Sequence, residues 1–577
     1  MSAQQLITDH LDLWTGAVTH KSGSGRSASG KNGKIELTGI KKLRELILEL
    51  AVRGKLVEQD PSDEPASVLL ERIAEEKTRL VKEGKIKKPK KLPHVSEKDK
   101  YFQTPKKWEW VRLGNLFNSI MSGGTPNKSN PEFWGGKIPW ASVKDLGKSK
   151  NIEKTIDYIT AEGLKAGSKL ADSGDILICT RMGLGKVAIC SRPVAINQDI
   201  KAVKLSSGTS IDFFLIAYKA LDIIGTGTTV SGITQDKLLN YVIGLPPLEE
   251  QHRIVKKVDE LMALCDQLEQ EVSDQLKAHE VLVDTLLDAL TRSSDATELA
   301  ENWARVSEHF DTLFTTEASI DKLKKTILQL AVMGRLVEQD PNDEPASALL
   351  DEILAERDRL KREEGMKTKA SGAVNTEEAY LTIPRSWVWV RLGNTAKFID
   401  YRGKTPKKLG SGKRLITAKN IRKGYIDKDP EEFISEPYYH TWMTRGFPRV
   451  GDTLFTPEAP LGNAANVDLE EEFALAQRAI CFQWHVKEIS PFMLMQILAL
   501  PFQEQLIFNA TGMTANGIKA AKLKEIPVVL PPLEEQKSIV EKVDELMALC
   551  DRLKARLSEA GETRYQLAET VVEQAVS

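Results

Sequence analysis

Residues 402–406 read Arg-Gly-Lys-Thr-Pro, and the Gly403-Lys404-Thr405 core resembles the end of a phosphate-binding loop. Such a loop needs an earlier glycine so that backbone N–H groups can wrap the phosphates, but the position five before Gly403 is Phe398. The stretch Arg181–Lys186, RMGLGK, fails for want of Ser or Thr after its lysine. Asp175, Asp199 and Lys201 offer the carboxylates and lysine of a metal-dependent nuclease. The matching part of the second half has Asp452 but Gln477-Arg478, so charged strand ends are the simpler reading. Asn130–Phe133, NPEF, lacks the second proline with which amino-methyltransferases hold a flipped base. Cys481 and His485 are four apart but have no partner pair for zinc. No Ser/His/Asp set can be placed. A catalytic centre, a cofactor site and a metal site are therefore not expected in this chain.

The basic segments carry a different signal. From Lys397 to Lys423 there are ten Lys/Arg and one acid, Asp400, with Tyr401, Asn420 and several glycines between them. That density attracts a polyanion through its phosphates, while Arg, Lys, Asn and Tyr on loops can reach base edges. The segment 119–150 is basic and polar in the same way, less densely. Both follow the same W-x-W-V-R-L-G-N sentence.

That recurrence is one of three. LAVRGKLVEQDPSDEPASVLL (Leu50–Leu70) returns at Leu330–Leu350 with 17 of 21 positions identical. PKKWEWVRLGN (Pro105–Asn115) returns as PRSWVWVRLGN (Pro384–Asn394). PPLEEQHRIVKKVDELMALCDQL (Pro246–Leu268) returns at Pro531–Leu553 with 19 of 23 identical. The chain is a tandem duplication of a unit of about 280 residues, too large for a solenoid repeat. Between the second and third anchors only punctuation survives: GGTP against GKTP, GDIL against GDTL, SGI against NGI. Identical brackets around different fillings suggest recognition of two different things.

The brackets read as helices. Ile254, Val258, Leu261, Cys265, Leu268 and Val272 are spaced by alternating fours and threes, as are Ile539, Val543, Leu546, Cys550, Leu553 and Leu557. This is the seam of a helix packed along another helix, with Cys265 and Cys550 as small core residues. If unbroken, Leu248–Leu290 is roughly 60 Å long. Leu50–Ser67 is the turn of a helical hairpin closed by Gly54, and its recurrence with Gly334 suggests a surface that docks one partner twice. The fillings mix short β-branched or aromatic runs with helical pieces, so the fold class is mixed α/β.

The expected layout is a flexible segment 1–36, with the linker KSGSGRSASGKNG at 21–33, and a helical hairpin at 37–100. A first globular block follows at 101–245 and a long helix at 246–292. A linker with the second hairpin (293–379), a second block (380–530) and a second long helix (531–577) complete it. Net charge is −2, yet 101–245 hold 18 Lys/Arg against 12 Asp/Glu and 380–530 hold 20 against 15. The remainder must then carry −13, so two basic blocks sit in an acidic frame. No apolar run is long enough to span a membrane, no secretory signal opens the chain, and five scattered cysteines suit a reduced cytoplasm.

Two variable blocks that begin W-x-W-V-R-L-G and end P-P-L-x-E-Q plus a long helix resemble the specificity subunit of type I restriction–modification systems. GGTPNKSNPEFWGGKIPW, SGDILICTRMGLGKVAI and SGITQDKLLNYVIGLPPLEEQ share that wording, and the duplicated hairpin resembles the larger subfamily. The resemblance implies two α/β target recognition domains joined by long, paired antiparallel coiled-coil helices in a pseudo-two-fold tandem duplication. Each domain would read one half of a split site on double-stranded DNA. The helices would dock two modification subunits through Ile254, Val258, Leu261, Leu268, Ile539, Val543, Leu546 and Leu553. Restriction subunits would then join. S-adenosylmethionine, ATP and Mg would bind those partners and not this chain, which is expected to be no enzyme. For DNA contact the first domain offers Thr125, Asn127, Lys128, Lys144, Arg181 and Lys186. The second offers Arg402, Lys404, Lys407, Lys408, Arg414, Lys419, Asn420 and Arg422. A helical scaffold that binds only proteins is the alternative, and a fused nuclease or methyltransferase a further one.

Overall fold

A computed structural model describes residues 3–21, 34–226, 231–363, 371–401, 406–511 and 516–576. The chain folds as two compact units, one of residues 1–275 with 560–577 and the other of residues 276–559. Arg402, Lys404 and nearly all of the 21–33 linker lie outside the described residues.

In the first unit the described part of the segment 1–36, expected to be flexible, begins with two short helices. Helices Ala3–Asp9 and Leu11–Gly16 bury Ile7 and Trp14, because two large apolar side chains seven apart give consecutive short helices one shared inner face. Hairpin helices Thr38–Val52 and Ala66–Lys82 follow. Leu43, Leu46, Ile47 and Leu50 line the inner face of the first, at the three-and-four spacing of an amphipathic helix. They join one core with Phe213 and Phe214 of the block, Ile254, Val258, Leu261, Cys265 and Leu268 of the long helix, and Ala568. Arg44 bridges Asp266 and Glu269 on the long helix, and Lys42 meets Glu569.

The first block has a five-stranded sheet, in the order Phe117–Ser122, Ile200–Leu205, Ile176–Cys179, Val187–Cys190, Asn151–Ile152. A four-stranded sheet runs Asp157–Ile159, Trp134–Ala141, Val194–Ile196, Lys169–Ala171. Both contain parallel and antiparallel neighbours, in keeping with the mixed class. Strand Glu109–Arg112 pairs antiparallel with Val242–Leu245, so the first and last strands of the block close on each other.

The second unit repeats the plan with a different filling. Val388–Arg391 pairs with Pro527–Leu530 in the same way. Between them stand a four-stranded sheet (Ala396–Asp400, Ile480–Trp484, Thr453–Phe455, Ala464–Asn466) and a three-stranded one (Phe433–Ile434, Lys413–Ile416, Phe473–Leu475). The stretch after residue 292 is not a plain linker. Asp295 caps helix Ala296–Glu308, and Val306, Leu313 and Phe314 enter the core around the second hairpin, Glu317–Val332 and Ala346–Glu363.

The long helices are unbroken: Leu248–Arg292 has 45 residues, about 67 Å at 1.5 Å per residue, and Leu533–Val576 has 44. Their seams do not wait for a partner. Ile254, Val258, Leu261, Leu268, Ile539 and Val543 are each less than a tenth exposed, and Leu546 and Leu553 pack on the same core as Ile539. The docking assignment is therefore corrected for those six, whereas Leu546 and Leu553 are only partly buried. A side chain already covered by the chain's own hairpin and hydrophobic core has no apolar area left to offer a second protein.

Candidate nucleic-acid interface

The repeated words turn out to be wiring. Trp108, the first tryptophan of W-x-W, donates its indole N–H to Glu250 of PPLEEQ at 3.0 Å, and Trp387 donates to Glu535 at 2.9 Å. Burial raises both carboxyls above the usual range, against the opposing pull of the indole bonds. Arg112 donates to the carbonyls of Pro93, His94 and Asn240 and bridges Asp99; Arg391 does the same with Ala373, Glu525 and Glu378. Gly54 and Gly334 take left-handed φ values of 69° and 67°. A Cβ on either would lie 2.5 Å from the ring of Pro105 or Pro384. The hairpin turn thus seats against the chain's own W-x-W segment.

The surviving punctuation inside the blocks is structural too. Gly174 and Gly451 are left-handed, and the next residue, Asp175 or Asp452, accepts the N–H three before it, from Asp172 or Arg449. Asp175 is thus a turn former at the head of a strand. Gly123 and Gly124 of GGTP run against the backbone of Ile196, Asn197 and Gly167, where a Cβ would collide. This brings Thr125 onto Gln198, to which it hydrogen-bonds.

Around that point each block builds a cradle from three separated segments. In the first, Arg181 and Thr226 both bridge to Gly232, the glycine of SGI, and Arg181 is 3.6 Å from Asp199. In the second, Glu458 and Thr511 both bridge to Gly517, the glycine of NGI, and Glu458 is 2.9 Å from Arg478. Asn127, Lys128, Lys144, Arg181 and Lys186 are exposed or half-exposed in the first block, and Lys407 and Lys419 are exposed in the second. Among the described residues no His/Cys/Asp/Glu group is arranged to hold a metal, and all five cysteines are buried and unpaired.

A family model described as "Type I restriction modification DNA specificity domain" matches residues 105–278 and again 384–560, each match running from the W-x-W strand into the long helix. The chain belongs to the type I restriction–modification DNA specificity family. Among curated members, the EcoAI specificity subunit of Escherichia coli is 38% identical over the whole of both chains, and the EcoEI specificity subunit of the same species is 37% identical over the same span. Among solved structures, the HsdS subunit from Thermoanaerobacter tengcongensis is 18% identical, covers 82% of this chain and 97% of its own, and superposes with a TM-score of 0.38.

Membership in the specificity family directs attention to which cations face outward, and here two expectations fail. Asn420 is 1% exposed; its carbonyl accepts from Thr417 and its amide donates to the carbonyls of Asp427 and Pro430, so it holds a turn. Arg414 is clamped by Glu471 at 2.7 Å and Glu431 at 3.0 Å with its side chain 14% exposed. Lys408 and Arg422 also have carboxylate partners, Glu432 at 2.6 Å and Asp427 at 3.2 Å. The acids lie beyond the run of ten cations, and strand Lys413–Ile416 gathers most of them by pairing with Phe433–Ile434 and Phe473–Leu475. Local charge density therefore overstated the free positive charge. Arg478 was missed: a lone arginine in LAQRAI carries no pattern, and only its match with Asp199 after Gln198 and Gln477 marks it.

Proposed function

We propose that this chain is the non-catalytic DNA sequence-specificity subunit of a type I restriction–modification complex, each block reading one half of a bipartite, asymmetric target. The observation that carries this is the pairing of constant wiring with variable sheets. The Trp–Glu and Arg anchors are the same in both units, while the sheets they enclose have five and four strands in one and four and three in the other. A frame that fixes two blocks identically and lets their surfaces differ suits an asymmetric site, because base contacts specify while phosphate contacts only position. The EcoAI and EcoEI relatives are named as specificity subunits.

On this reading, modification and restriction subunits supply the chemistry, with S-adenosylmethionine, ATP and Mg bound to them. Because the helix seams are filled, docking falls to the outer helix faces. Leu282 and Leu567 occupy the same place in the two copies, 285 residues apart, and are 50% and 52% exposed. No helix among the described residues is long and apolar enough to cross a membrane. A subunit that acts on intracellular DNA works in the cytoplasm.

The test is to replace residues 380–530 with the block of another family member and map modified adenines in cells carrying the system. One half of the target changes and the other stays. A change in both halves would overturn the modular reading. Methylation of DNA by the purified chain with S-adenosylmethionine alone would overturn the non-catalytic one, and sequence-independent binding throughout would favour the protein-binding scaffold.

A further inference from the structure

The cradle is built twice with its charges exchanged. Arg181 and Glu458 hold the same place, each following the strand that starts after the Gly-Asp turn and each bridging to the glycine of SGI or NGI. Asp199 and Arg478 also correspond, each preceding a central strand, Ile200–Leu205 or Ile480–Trp484, and each following a glutamine. The first block thus pairs arginine with aspartate across the cradle, and the second pairs glutamate with arginine in the reverse sense.

Backbone strain falls on the same spot. Among the described residues the non-glycine positions with positive φ are Met182 (57°), Ala459 (42°) and Arg478 (71°). The first two directly follow Arg181 and Glu458, and the third is itself a member of the pair. L-residues are held in the left-handed region at an energetic cost, and such positions gather where a side chain must be aimed. Asp199 is fixed as well: its N–H donates to the Asn197 side chain, whose amide lies 3.3 Å from the Asp199 carboxylate. Each arginine nevertheless stays half-exposed, 51% for Arg181 and 55% for Arg478.

We infer that Arg181 and Arg478 are the sequence-reading arginines of their respective blocks, each aimed at a guanine edge in the major groove and steadied by Asp199 or Glu458 as a positioning residue. This rests on the specificity-subunit reading above. A guanidinium has a fixed planar fork, so a carboxylate on one edge leaves the other edge oriented for the O6 and N7 acceptors of guanine. Phosphate attraction needs no such aim, and the neighbouring carboxylate weakens it. Because the arginine comes from opposite walls of the cradle in the two blocks, one frame presents it to different positions in the two half-sites.

The test uses the full chain assembled with its modification subunits, with target preference read by mapping methylated adenines and by binding to sequence variants at several salt concentrations. R181A is expected to relax one guanine position in one half-site by about 10- to 100-fold in discrimination, and R478A to do so in the other half-site only. R181K keeps the charge but not the fork and is expected to relax the same position. D199N and E458Q relax those positions less, and the double exchange R181E/D199R moves the preference within its half-site instead of abolishing methylation. Uniform weakening on all sequences with a shallower salt slope would make the arginines phosphate contacts and overturn the inference. An unchanged target in R181A and R478A would overturn it too. If block exchange still changes half of the target in that case, the specificity-subunit reading survives; if it does not, both fall.

Discussion

Trp108 donates to Glu250 across 142 residues of sequence, and the bond fastens the start of the first variable block to the helix that follows its end. Trp387 and Glu535 repeat it in the other unit. Whatever sheets lie between, the two ends of each block are tied at one place.

Trp108→Phe removes the donor and leaves a buried carboxylate oxygen short of a partner, at a cost of about 1–3 kcal/mol in urea unfolding of the first unit. The pH response has a definite sign. Burial raises Glu250 above its usual 4.5, so the folded state holds that proton more tightly than the unfolded chain. The contribution is present below pH 4.5 and is lost as pH rises through the raised value. Glu250→Gln should remove this part of the profile; an unchanged profile would mean the carboxyl is not perturbed.

Gly54→Ala and Gly334→Ala each put a methyl 2.5 Å from a proline ring at a left-handed position. Gly84 has nearly the same φ, 67°, with nothing within 4 Å of the added atom. Gly84→Ala should cost only the backbone strain, about 1 kcal/mol, and the other two distinctly more, measured as loss of denaturation midpoint. Equal losses at all three would remove the seating of the hairpin turn on the W-x-W segment.

Asn420 and Lys419 are neighbours in sequence with opposite duties. Asn420→Ala empties a turn whose groups are buried and should lower the melting temperature of the second unit. Lys419→Ala should leave melting unchanged and reduce the salt dependence of DNA binding by about one phosphate contact. The reverse pattern would reinstate Asn420 as a DNA-reading residue.

What could be read from sequence follows from which signals are local. Helix seams such as Ile254–Val258–Leu261 announce themselves by period, and the repeated brackets by identity, because both are written in consecutive residues. Their partners are not. The seam was legible but its cover, the hairpin helix carrying Leu43 and Ile47, was assigned to another protein since nothing in a heptad names what fills it. Arg414 looked available because Glu431 and Glu471 reach it only through strand pairing. Trp14 was lost in a segment coloured by the glycine- and serine-rich stretch behind it. Arg181 and Arg478 become a matched pair only when backbone angles and the glycine bridges are known.

His485 gives the last prediction. Its ring lies in the second unit, its Nδ1 is buried without a hydrogen-bond partner among the described residues, and burial, with Arg357 nearby, lowers its pKa to about 4. The unfolded value is 6.5, so the unfolded chain takes up the proton first as pH falls. The neutral ring's contribution is complete above pH 6.5 and is lost between there and about pH 4, at up to about 1.4 kcal/mol per pH unit. His485→Gln should flatten that part of the stability profile of the second unit while leaving the first unit's profile unchanged. Titration of the His485 ring by NMR near 6.5 would contradict the burial on which this rests.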